Sequence, residues 1–99
     1  MTRIKELVDR INEELEDAKH YAEEYLDSKV KGNASWSNRY QEMANDELKH
    51  AGYIHDRAME EIEELSKVYT PPESMMEKWN SEHKKYIERA AWIKQMLTL

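Results

Sequence analysis

The chain is expected to be all-α, built from three long antiparallel helices, and three observations lead there. Apolar residues recur at intervals of three and four over stretches of six turns or more, the period of one helix face. Only two Gly and two Pro punctuate the 99 residues. Charged residues make up 36%, with Met, Leu, Ala and Ile at the apolar positions, which is the vocabulary of exposed helices rather than of a sheet. The length fits one helical domain spanning residues 1–99.

The first helix is predicted over about residues 2–31. The Thr2 hydroxyl can cap its opening turn. Its apolar stripe runs through Ile4, Leu7, Val8, Ile11, Leu15, Ala18, Ala22, Tyr25 and Leu26. Gly32 can take the left-handed conformation that ends it. The second helix is predicted over about residues 35–69, capped by Asn33 or Ser35. Its stripe reads Trp36, Tyr40, Met43, Glu47, Ala51, Ile54, Ala58, Ile62, Leu65 and Tyr69. Thr70-Pro71-Pro72-Glu73 reads as a capping box, with Thr70 as N-cap, Pro at the first helical positions and Glu73 at N3. The third helix then covers about residues 71–97, with Met76, Trp79, His83, Tyr86, Ala90, Ile93 and Leu97 on one face. Short connections make successive helices antiparallel neighbours. Phe is absent, so three Trp and six Tyr supply the aromatic volume of a thin core. The Met residues read as core filling and Trp36, Trp79 and Trp92 as core or interface anchors. A core this thin predicts that oligomerisation, as a homodimer or larger, completes the burial.

A formal net charge of −6 argues against nucleic acid, which calls for a basic stripe. Without cysteine there is neither a disulfide framework nor a thiolate metal site. No apolar run is long enough to span a membrane and no secretory signal is seen, so a cytoplasmic location is expected. The sequon Asn33-Ala34-Ser35 is accordingly read as chance.

Polar residues on the apolar stripe carry the chemistry. Glu47 falls near the centre of the second helix's stripe and His50 on its edge, one turn on. A buried carboxylate must be paired, protonated or metal-bound. Glu-x-x-His at i,i+3 directs both side chains to one place, as in bundle proteins that hold two metal ions between carboxylates. Antiparallel counting around Asn33 sets residues 14–21 opposite. There Glu14 is the best first-helix ligand and Asp17 the reserve. Tyr21 is placed to hydrogen-bond a ligating carboxylate. His83 sits at the centre of the third helix's stripe, about two turns displaced, where it can meet His55, hydrogen-bond a ligand of the Glu47 site, or bind metal separately. A lone His in that position more often belongs to the core. Glu82 flanks it, and His20 reads as surface.

The segment Tyr40-x-x-Met43-Ala44-x-Asp46-Glu47-x-x-His50-Ala51 resembles the second helix of the ferritin-like superfamily, in particular the rubrerythrin-type half-bundle. Glu14 followed by Tyr21 is the first-helix counterpart, and the resemblance covers roughly residues 11–55. The chain departs from that pattern in having three helices and a single Glu-x-x-His. Short encapsulated ferritin-like proteins complete their site across a dimer. That resemblance implies two copies each giving Glu14, Glu47 and His50 to an iron (or manganese) pair. It further implies oxidation of Fe(II) by O₂. The chain is also similar to short helical phage or prophage proteins, with Glu16 to Ala22, the Glu-x-x-His and the Pro-Pro turn carrying the likeness. No activity transfers from those. The alternative expectation is a non-catalytic helical homo-oligomer, or an adaptor binding a host protein, in which the same residues form a buried polar network.

Overall fold

Two short turns set the path of the chain. The computed structural model describes residues 2–99, and these form α1 (Thr2–Val30), α2 (Ala34–Val68) and α3 (Glu73–Met96), with no strand among the described residues. Gly32 adopts φ +74° at the first turn. Around it the Asn33 N–H donates to the Ser28 carbonyl (2.9 Å) and the Gly32 N–H to that of Lys29 (3.1 Å). These are the two bonds of a Schellman ending, and a left-handed residue is needed to make them. Asn33 then caps α2, its side-chain oxygen accepting the Trp36 N–H at 3.2 Å, while Ser35 lies inside the helix. Thr2 is already helical, so the cap position of α1 lies outside the described residues.

The second turn departs from the expected capping box. Thr70 does not cap α3; Pro72 occupies the N-cap position at φ −57°, ψ 141°, and Glu73 is the first helical residue. The Met75 and Met76 N–H groups both donate to the Pro72 carbonyl. The cause is the doubled proline. A residue preceding proline is driven out of the helical region, so neither Thr70 nor Pro71 can begin a helix.

The helices run up, down and up as a rod of 55 × 17 × 17 Å. The closest backbone approach is between α1 and α2, and α3 packs mainly on α1. Small side chains explain the difference. Ala18 and Ala22 on α1 and Ala44, Ala51 and Ala58 on α2 are fully buried. Leu15 and Ile93 are the largest fully buried side chains. Bulky Trp79, His83 and Tyr86 hold α3 further from α2.

This packing rotates the α2 stripe from the expected face. Its buried line is Ala44, Leu48, Ala51, His55, Ala58 and Ile62, so Glu47 stands at the rim and not at the centre. Trp36, Met43 and Tyr69, expected on that stripe, are exposed, as are Met59 and Trp92. Met75, Met76 and Met96 are half-buried, so core filling falls to Ala, Leu and Ile instead. Among the described residues no helix is long and apolar enough to cross a membrane.

Candidate metal centre

The groove between α1 and α2, on the side away from α3, gathers Glu14, Glu47 and His50. One ligand atom from each lies within 4.8 Å of the others. His50 Nδ1 is 3.7 Å from a Glu14 oxygen and 3.8 Å from a Glu47 oxygen. The helices produce this because Glu47 and His50 are one turn apart on α2, and the alanine seam brings Glu14 on α1 within reach. Both carboxyl side chains are 21% exposed, whereas that of His50 is 53% exposed. The cluster is therefore walled by protein on two sides and open on the third.

Its electrostatics turn on the carboxyl pair. Glu47 is pushed from its ordinary 4.5 up to about 7, first by a hydrogen bond with Glu14, then by burial and by the Glu14 charge. The His50 charge opposes that rise and the Asp17 charge adds to it. The contact with Glu14 thus favours the protonated form of Glu47. Two acids this close share a proton unless a cation replaces it.

The donor set fits a divalent metal. Two carboxylates and an imidazole suit iron, manganese or zinc. Ligand atoms about 2.1 Å from one ion stand roughly 3.0–3.5 Å apart for octahedral or tetrahedral angles. The imidazole–carboxylate spacings exceed that by a few tenths of an ångström, a gap that small side-chain rotations close.

The other expected residues lie elsewhere. Asp17 is exposed and acts on Glu47 through its charge, outside the three-residue cluster. Half-buried Tyr21 stacks on Tyr40 with ring centroids 6.4 Å apart. His20 is exposed. Glu82 accepts a hydrogen bond from the Asn12 amide at 3.4 Å. His83 is part of a different assembly, between α2 and α3. Its Nδ1 stands 2.7 Å from His55 Nε2. His55, expected only as a neighbour of His83, is 6% exposed and the one buried imidazole among the described residues. Its position in line with Ala51, Ala58 and Ile62 was the available signal. A cleft of about 550 Å³ between α1 and the start of α3 is lined by Ile4, Val8, Met75 and Trp79 among others and includes none of the three clustered residues.

Comparison with protein-family models, with curated proteins and with solved structures gave no match.

Proposed function

We propose that the chain is a divalent-metal protein of the ferritin-like kind, with Glu14, Glu47 and His50 as ligands and a second copy completing the site. The convergence of these three side chains within 4.8 Å carries the reading. Glu14 and Glu47 supply negative charge on two facing helices, and His50 supplies a neutral nitrogen from the open side. Loss of the proton shared by the two acids prepares both for ligation, so metal uptake is accompanied by proton release below about pH 7.

Three protein donors leave coordination positions unfilled, and the open side of the groove is where more would come from. Exposed Trp36 and Met43 precede Glu47 along the same face of α2. Apolar surface of this kind suits burial against another copy about a two-fold axis, which would bring two sets of ligands face to face. Ferrous iron held between them would bring one-electron chemistry with O₂. The chain's own part is to hold three donors in place and to shield the carboxyl pair from bulk water.

Metal analysis of chain purified without chelator tests this reading, with Glu47→Ala and His50→Ala in parallel. At least about one metal per two chains is expected in the wild type, lost in both variants, since removing a ligand weakens such sites 10-fold or more. A wild-type chain that takes up no iron, manganese or zinc while remaining folded overturns it. The second reading, a non-catalytic oligomer held by a polar network, is favoured by the contact with Glu14, which holds a proton on Glu47 without metal. It predicts that oligomer size, not metal content, changes in Glu47→Ala.

A further inference from the structure

The second assembly of polar side chains lies on the opposite side of α2. His55 Nε2 and His83 Nδ1 are 2.7 Å apart, a hydrogen bond in which one imidazole donates and the other accepts. The pair is enclosed by rings. His55 is stacked on Tyr86 at 4.4 Å and on Trp79 at 5.4 Å between centroids, and the two imidazoles are themselves 4.8 Å apart. The Tyr86 hydroxyl lies over Gly52, where an added Cβ would stand 3.5 Å away. Because α3 has few close backbone approaches to α2, these side chains carry much of the contact between them.

We propose that the His55–His83 pair is an acid-sensitive latch, and that protonation of both imidazoles releases the middle of α3 from α2. The neutral pair needs one imidazole to offer a lone pair. One added proton can be shared along the N···N axis, but two leave N–H facing N–H with like charges at hydrogen-bond distance. Burial already disfavours charge on His55, and His83 adds to that.

The neighbouring groups do not undo the effect. From α2, Asp56 approaches His55 Nδ1 at 4.0 Å and favours its charged form, but that carboxylate is largely in solvent. From α3 the facing groups are His83 and the neutral Tyr86 hydroxyl, whose ionisation burial opposes. Glu82, beside His83 in sequence, is engaged by Asn12 and Lys85. The charges that act on His55 are those of His83 and Asp56. The first turns of α3 are held by Met76 against Ile4, Leu7, Ala58 and Ile62, and its C-terminal half has polar ties that acid does not cut. Arg89 donates to Asn12 and Glu16, and the Gln41 amide donates to the Leu97 carbonyl. Release is therefore local to the middle of α3, and the rings of Trp79 and Tyr86 become exposed.

Hydrogen exchange on the intact wild-type chain, in chelator so that the metal reading plays no part, tests the latch. Rates are corrected for intrinsic pH dependence and compared at pH 7.5 and pH 5. Amides in the middle of α3 are expected to lose at least tenfold in protection, while those of α1 and the first half of α2 change less than twofold. His83→Asn, which keeps an acceptor near the Nδ1 position but does not titrate, should abolish the difference. Should that variant fail to fold, imidazole NMR of the wild type decides, because both rings must gain their protons over the pH range in which α3 loosens. Unchanged α3 protection at pH 5, an equal response in His83→Asn, a uniform loosening of all three helices, or imidazoles that stay neutral while α3 opens would each overturn the proposal.

Discussion

Helix α2 carries a proton-sharing pair on each of two flanks, and the pairs behave in opposite ways. Glu47 with Glu14 lies in the α1–α2 groove beside solvent; His55 with His83 lies between α2 and α3 under aromatic rings. At Glu47 and at His55, burial and a like neighbour favour the neutral form. For Glu47 this means holding a proton that an isolated carboxyl would lose. For His55 it means refusing one that an isolated imidazole would take. The same physics therefore acts with opposite sign on the two flanks. The open flank faces solvent, and the closed flank is packed by rings.

The largest effect expected to separate the two flanks is on stability. His55→Ala removes a buried ring, leaves a cavity and strands His83, at a cost of about 2–4 kcal/mol by urea unfolding. His50→Ala, at an exposed position, should stay within about 0.5 kcal/mol in chelator. Comparable losses at both sites would break the contrast. Next comes ligand linkage. Metal at about 100 times its Kd should stabilise the wild type by about 2.7 kcal/mol and leave His50→Ala and Glu47→Ala nearly unmoved, measured as a shift in Tm.

The pH dependence has opposite signs on the two flanks. Because the folded Glu47 value is raised to about 7 from 4.5, its contribution is fully present below pH 4.5 and is lost as pH rises to about 7. The folded His55 value is lowered from 6.5, so its contribution is present above pH 6.5 and lost as pH falls through the depressed value. Denaturant midpoints in chelator should show that Glu47→Gln lacks the first loss and retains the second. The smallest effect is at Gly52. Its Cβ would meet the Tyr86 hydroxyl at ordinary contact distance, so Gly52→Ala should stabilise α2 by about 0.5–1 kcal/mol in thermal unfolding. Destabilisation would mean that Tyr86 sits tighter against α2 than its position indicates.

What could be read from residues alone was local chemistry. The left-handed Gly32, the Asn33 cap and the helical periodicity are properties of a few consecutive residues, and the turns and helices followed from them. The closeness of Glu14, Glu47 and His50 was legible because a tight first turn restricts how α1 and α2 align. The rotation of α2 was harder. Large apolar residues such as Trp36 and Met43 dominate a hydrophobic stripe by weight, but close helix approach selects small ones, and Ala44, Ala51 and Ala58 set the buried line. Leu48 and His55 move inward with them, and Glu47 moves to the rim. The start of α3 departs from the cap pattern at Thr70 because each proline restricts the residue before it, an effect the pattern does not contain.

The position of Glu14, Glu47 and His50 along the rod has a consequence for symmetry. Glu14 stands two residues from the midpoint of α1 (Thr2–Val30), and His50 one residue from that of α2 (Ala34–Val68). At a rise of about 1.5 Å per residue, these offsets are about 3 Å or less. If two such rods lie side by side about a perpendicular dyad, any offset from the dyad is doubled in the separation of the two sites. Near the midpoint the doubled value stays at about 6 Å or less, close enough for modest sliding to pair the sites while the rods overlap along nearly their whole length. The same residues placed near an end would force a choice between pairing the sites and covering the flank.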